Sequence, residues 1–411
     1  MPEPSYRVYP YRWVVLAVFM FINLTIQILW ICFAPITGPA GKFYGVSDLQ
    51  IGFLAMSFMI VYVPLSIPVS WMVDTMGYRK AVSIGAVLMG VFALLRALFA
   101  ANYTWVLVCT IGIAVAQPFL LNSVSTVAAR WFPISERATA AGLAMVAGFI
   151  GIALGQVLSP ILMLAYGIPA MQMIYGLVTA FSVVLFLIFT RDAPPTPPCP
   201  AGQETRALML DGLVSMLKNK NIWILLFLFL IGMGIFNGIS TWIEDIVRPR
   251  GFSITDAGSL GAFLLLGGIL GAAILPILSD KMQKRKAFLF AGLVFAIPGL
   301  IGFIYTEQYW SVVVSLFSLG FFLMSLAPVG YQYAAEITYP APEGTSNGLL
   351  NLSGQVSVVF IYAMEAFKKS DGSYTSSLLI LVGLLGVCCL LVAFLKESTL
   401  FNTESETTGA A

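Results

Sequence analysis

The sequence predicts an all-α membrane protein of twelve transmembrane helices, arranged as two pseudo-symmetric six-helix halves. Three observations predict it. Apolar residues make up 59% of the 411-residue chain and charged ones only 10%, far from the balance of a soluble domain. Twelve apolar runs recur, near residues 13–36, 50–73, 81–100, 104–128, 137–162, 168–190, 222–246, 256–279, 287–305, 309–334, 344–367 and 374–396, each close to the roughly 20 residues that cross a bilayer core. Asp74 and Asp280 stand 206 residues apart, and the same offset joins Thr139 to Thr345, Gly142 to Gly348 and Leu143 to Leu349. Both acids lie where an apolar run gives way to a short basic loop, WMVDTMGYRK (71–80) and SDKMQKRK (279–286). A duplicated half produces that pattern.

The first run carries Asn23, Gln27 and Trp30 at i, i+4 and i+7, on one helical face. Polar side chains deep in a membrane helix must face protein or water. The stripe reads either as helix–helix hydrogen bonding or as the lining of a cavity; we take the second, with Trp30 offering an aromatic face. The second run leads into the Asp74 loop, where Gly77 allows a turn and Arg79 and Lys80 follow. That grouping reads as gating and structural rather than as substrate chemistry. In the third run Arg96 is one turn from the outer end and is expected to snorkel to the interface. The fourth holds Gln117-Pro118 and then Asn122, Ser123 and Ser125, which suits a kink towards a cavity. The fifth has Gly148, Gly151 and Gly155, small residues that let helices approach closely.

Residues 191–221 interrupt the hydrophobic pattern with APPTPPCPAG and scattered charges. They are expected to link an N-terminal bundle (1–190) to a C-terminal bundle with a short tail (222–411), with an amphipathic helix over 208–217. The seventh run reads FNGISTW, with Phe236, Asn237 and Trp242, and Glu244 and Asp245 follow at the outer mouth. With Arg248 and Arg250 just after them, these acids read as a solvated, self-paired loop or, with Glu365, as the path by which cations or protons enter. Arg130 and Glu336 hold matching positions in the two halves, and an ion pair between the halves is expected of them.

A net charge of +2 is too small to suggest nucleic acid. With both termini inside, fifteen Lys and Arg fall on inner connections and tails, and five on outer ones. The positive-inside rule thus favours cytoplasmic ends. The first run is too long for a signal-peptide core, so no cleavable signal is expected. Cys32, Cys109, Cys388 and Cys389 lie in apolar runs and Cys199 in the linker, giving neither a disulfide framework nor metal spacing. Asn102-Tyr103-Thr104 is a glycosylation-type triplet in an outer loop.

The loop between the second and third runs resembles the G-x-x-x-D-x-x-G-x-R-K motif of the major facilitator superfamily, with Ser70 at the first glycine and Asp74, Gly77, Arg79 and Lys80 in place. The strings FYGVS (43–47), YVPLSIP (62–68), AVAQ (114–117), EITYP (336–340) and EGTS-x-GLLN (343–351), with Gln355, are similar to the feline leukaemia virus subgroup C receptor-related (FLVCR) transporters, over nearly the whole chain. The resemblance implies the major facilitator fold. It also implies transport of choline or ethanolamine, or of haem as these proteins were earlier described. The family's cation site would fall on Trp30, Gln117 and Gln355. Its seventh-span tyrosine falls on Asn237, and an asparagine near its first-span tryptophan falls on Ile26.

A quaternary ammonium offers no N–H and is held by aromatic faces; Trp30 supplies one. The chain has no histidine, so axial ligands for haem are scarce. A proton relay lacks an evident mid-membrane acid. We therefore expect a plasma-membrane, alternating-access transporter of a choline- or ethanolamine-like amine by facilitated uniport. Proton-coupled transport of another metabolite, haem export and a non-transporting receptor are the alternatives. The candidate substrate residues are Trp30, Gln27, Asn23, Gln117, Asn237, Gln355, Phe236 and Trp242. The candidate gating residues are Asp74, Gly77, Arg79, Lys80, Asp280, Arg130 and Glu336. The expected partners are a small-molecule substrate and the lipid bilayer. Neither cofactor nor metal is expected, and nor is enzymatic activity; the chain is expected to act as a monomer.

Overall fold

The computed structural model describes residues 7–198, 216–282, 284–338 and 343–395, and among these all regular structure is helical. The linker helix expected over 208–217 lies outside the described residues apart from its last two positions, and Cys199 and the tail from Lys396 lie outside as well. Eleven helices among the described residues are long and apolar enough to cross a membrane. The longest, Ile134–Phe189, is interrupted at Gly167, whose φ of 81° is a backbone conformation that glycine adopts without a steric penalty. That turn separates the fifth apolar run from the sixth.

The chain forms two compact units. The first takes in the described residues up to 198 together with Thr241–Asp245 and Ser253–Ser259. Its helices are α1 (Arg12–Ile31), α2 (Thr37–Tyr44), α3 (Asp48–Met76), α4 (Tyr78–Leu98), α5 (Tyr103–Leu121), α6 (Val124–Trp131) and α7 (Ile134–Phe189). A short 3-10 turn, Ala34–Ile36, separates α1 from α2. Pro35 falls in that turn; it has no backbone N–H to continue the helical ladder. Helix α3 begins in a capping box. The Gln50 N–H donates to Ser47 Oγ at 3.3 Å, and the Ser47 N–H donates to Gln50 Oε1 at 3.0 Å.

Phe19, Ile22, Ile26 and Ile31 of α1 are fully buried, and α1 packs along α7. A Cβ on Gly151 would stand 2.3 Å from the Leu24 carbonyl oxygen, so these two backbones touch. The glycines of the fifth run therefore serve packing, as their spacing suggests.

The remaining helices are α8 (Lys220–Val247), α9 (Ile254–Met282), α10 (Arg285–Tyr305), α11 (Tyr309–Thr338), α12 (Glu343–Val356), α13 (Val358–Ala366) and α14 (Thr375–Ala393). Within the second unit α9 and α11 also meet at the backbone: a Cβ on Gly320 would lie 2.0 Å from the Leu264 carbonyl oxygen. Large apolar side chains cover the outward faces, with Phe181 58%, Val314 67% and Leu390 66% exposed. Water would penalise such a surface, whereas lipid does not.

Candidate functional site

Trp30 lies two residues before α1 ends at the Cys32 cap, and only 6% of it is exposed. Its indole N–H donates to the Ala55 carbonyl of α3 at 3.2 Å. The polar edge of the ring is thus committed to protein. One turn earlier on the same face, Gln27 has a buried carboxamide oxygen, Oε1, that no donor among the described residues reaches. Gln117 on α5 has the same orphan, with the residue 4% exposed. Helices α1 and α5 pack together, so two unmatched acceptors sit on neighbouring elements. Leaving such an acceptor dry and unpaired costs about 1–3 kcal/mol, and a donor-bearing ligand would recover that cost. Asn23, by contrast, donates its Nδ2 to the Phe19 carbonyl of its own helix at 2.9 Å.

Trp242 has a different environment. It is fully buried at a non-helical point in α8 (φ −99°, ψ 15°), with its ring set over Gly52 of α3. A Cβ on Gly52 would come within 2.2 Å of that ring, so Trp242 is a packing residue with no free face. Next to it, the Glu244 carboxylate accepts the Gly38 N–H at 2.9 Å, in the first turn of α2. Glu244 and Asp245 are 4% and 2% exposed, so they do not form the solvated loop that the sequence suggested.

In the second unit Phe236 and Asn237 are buried, and Asn237 Nδ2 donates to Ser357 Oγ at 3.1 Å. Ser357 stands at the break between α12 and α13, so Asn237 braces that break. Gln355, two residues before it, is half-buried. Glu365 accepts hydrogen bonds from Tyr374 and, at 3.5 Å, from Lys368. It is therefore held in a local polar cluster rather than presented as a bare carboxylate.

The charged loops pair within each unit. Arg130 forms its ion pair with Asp192, which also accepts the Arg79 N–H at 3.1 Å. Gly77 (φ 84°) lies against the same acid, since a Cβ there would stand 2.7 Å from Asp192 Oδ1. The Tyr78 hydroxyl donates to the Arg191 carbonyl at 2.5 Å, and Trp131 Nε1 donates to Tyr78 Oη at 3.1 Å. The loop 77–80 is thus docked on the end of α7. Asp74 and Lys80 are exposed. In the second unit Arg285 bonds Glu336 at 3.0 Å and also pairs with Asp280.

Arg130 pairs with Asp192 and Glu336 with Arg285, each within its own unit. The expectation for Arg96 is corrected. Arg96 does not snorkel. It is 1% exposed and turns inward, donating to the Leu29 carbonyl at 3.3 Å and to Thr110 Oγ1 at 3.4 Å. An interior acceptor, the Leu29 carbonyl near the end of α1, holds the guanidinium away from the interface.

Sequence reading missed Asp192, whose signal was its place directly after the sixth run in T-R-D-A-P. It also missed a clasp between α3 and α5. Tyr62 donates to Asn122 Oδ1 at 2.6 Å, while Asn122 Nδ2 reaches the Ser66 carbonyl at 3.1 Å and Ser70 Oγ at 3.0 Å. Each residue was visible alone, but nothing in the chain order joined them.

Comparison with known proteins gives this arrangement its context. The rat choline/ethanolamine transporter FLVCR2 (Rattus norvegicus) is 31% identical over 408 residues, covering 94% of this chain and 74% of its own. The human protein of that name is 30% identical, with 94% and 77% covered. Solute carrier family 49 member A3 of Xenopus tropicalis is 29% identical, with 91% and 80% covered. Among solved structures, a bacterial homolog of the human lysosomal transporter Spinster, inward-facing and unoccupied, matches with a TM-score of 0.74 at 17% identity. That match covers 94% of this chain and 97% of the other, and shows a shared fold. The human organic anion transporter MFSD10 matches with a TM-score of 0.67 at 14% identity, covering 93% and 100%. These relatives are membrane transporters and not enzymes, and the chain is a multi-span transporter of small solutes. The family model described as Major Facilitator Superfamily matches residues 16–362 and 245–408, and the chain belongs to that superfamily.

Proposed function

We propose that this transporter carries a small hydroxylated amine of the choline and ethanolamine class by facilitated uniport. The observation that carries the reading is the pair of buried amide oxygens, Gln27 Oε1 and Gln117 Oε1, that lack a donor among the described residues and stand on two packed helices, one of which also carries Trp30. Acceptors without donors suit an ammonium N–H or a hydroxyl, and an indole face suits the cationic charge. Ethanolamine satisfies more of these acceptors than choline, because its ammonium carries three N–H donors. Phe236, Asn237 and Gln355 are the second unit's candidates for substrate contact. The names of the FLVCR2 relatives support the substrate class.

Twelve spans in two six-helix halves follow if Ile134–Phe189 crosses the membrane twice about Gly167, and the charge bias favours cytoplasmic termini. The plasma membrane is the proposed site, with the monomer as the working unit. Uniport is favoured over proton coupling because the chain has no histidine and Glu365 is tied to Lys368 and Tyr374.

Uptake of radiolabelled ethanolamine and choline into proteoliposomes tests this. Saturable uptake of either, reduced at least several-fold in Gln27→Leu and Gln117→Leu, is the expected result. Saturable uptake of neither, or uptake indifferent to both substitutions, rejects the proposal.

A further inference from the structure

Arg96 is a buried cation in a membrane helix, outside the proposed set of substrate contacts. It is 1% exposed, and among the described residues no carboxylate pairs with it. Such a charge needs a compensating field from elsewhere. That field is at the end of α1. The carbonyl of Leu29, three residues from the Cys32 cap, is reached by two side-chain donors: Arg96 Nη1 at 3.3 Å and Cys32 Sγ at 3.5 Å. The last carbonyls of a helix carry roughly half a negative charge, and basic side chains favour that end.

The guanidinium does more than cap. It binds Thr110 Oγ1 on α5 at 3.4 Å, approaches Cys32 Sγ at 3.7 Å, and lies over the Phe33 ring with 5.8 Å to the centroid. Gln172 of α7 donates to the same Cys32 sulfur at 3.8 Å. The end of α1 is thus held from α4 and α7, with α5 bracing Arg96 through Thr110, and Trp30 is the residue directly after Leu29. On its other side the indole is fixed to Ala55 of α3.

We infer that Arg96 is a positioning residue that fixes the end of α1 and thereby the pose in which Trp30 meets substrate. The inference deepens the reading of Trp30 as a substrate contact and rests on it for its kinetic consequence. The structural consequence, a sealed Cys32 that is 0% exposed, is independent of what is transported.

The test uses the full chain with Cys109, Cys199, Cys388 and Cys389 replaced by serine, so that Cys32 is the one remaining thiol. Labelling of Cys32 by N-ethylmaleimide is followed by mass spectrometry, alongside ethanolamine uptake. Arg96→Gln is expected to speed labelling about tenfold and to raise KM about fivefold with a smaller change in Vmax, and Arg96→Lys to restore most of both. Should Arg96→Gln fail to fold, Arg96→Lys is read by itself, with an intermediate labelling rate expected. Should both fail, Thr110→Val, which removes one partner of the guanidinium, carries the same expectation of faster labelling. Unchanged labelling in the folded variant overturns the inference. Faster labelling with KM unchanged removes the link to Trp30 and overturns it equally. Absence of any amine uptake in the parent, with labelling still Arg96-dependent, instead rejects the substrate proposal and keeps the capping role.

Discussion

The indole N–H of Trp30 donates to the carbonyl of Ala55 across 3.2 Å, binding the end of α1 to α3. This bond holds the ring in place and consumes its only hydrogen-bonding group, so in the proposed role as a substrate contact Trp30 would act through its π face. Removing the face should cost about 0.5–2 kcal/mol of binding, or between about twofold and thirtyfold in uptake efficiency. Trp30→Ala is expected to show that loss in kcat/KM for ethanolamine and choline, and Trp30→Phe to recover part of it. Equal loss in both would point to the Ala55 hydrogen bond rather than the face.

The close approach of α1 and α7 gives a stability contrast between two glycines on one helix. A Cβ at Gly151 would stand 2.3 Å from a backbone oxygen, whereas one at Gly148 would lie 3.6 Å from the flexible end of Gln27. Overpacking against backbone costs about 1–3 kcal/mol. Gly151→Ala should therefore lower the melting temperature in detergent by several degrees, and Gly148→Ala should leave it nearly unchanged.

Arg285 and Glu336 form the more buried of the charge pairs, with side chains 4% and 6% exposed, against 34% and 42% for Arg130 and Asp192. Removing one partner of a buried pair costs up to about 3–5 kcal/mol, less here because Arg285 keeps its pair with the exposed Asp280, while a half-exposed pair contributes about 0–1 kcal/mol. Glu336→Gln should sharply reduce the yield of folded protein. Asp192→Asn should fold well. Size-exclusion profiles of the two variants expressed in parallel decide the matter.

Uniport of a cation makes flux follow the membrane potential and not the proton gradient. Each 100 mV contributes about 2.3 kcal/mol per elementary charge. In vesicles clamped with potassium and valinomycin, an inside-negative potential should accelerate ethanolamine uptake. A pH gradient at fixed voltage should leave it unchanged, and strict dependence on that gradient would displace uniport.

Much was legible in the chain itself. The length of the apolar runs and the sparse charges decided that this is a helical membrane protein, because a bilayer admits few other structures. The spacing of Asn23, Gln27 and Trp30 placed three polar or aromatic side chains on one face. Tertiary structure alone decided what each of them does. Asn23 turned to its own helix while Gln27 kept an unpaired oxygen, Trp242 became packing over Gly52, and Arg96 turned inward to the end of α1. Spacing fixes the face of a helix, but partners from distant segments fix which polar groups are already satisfied. In a medium without water, those left unsatisfied are the ones available to a substrate.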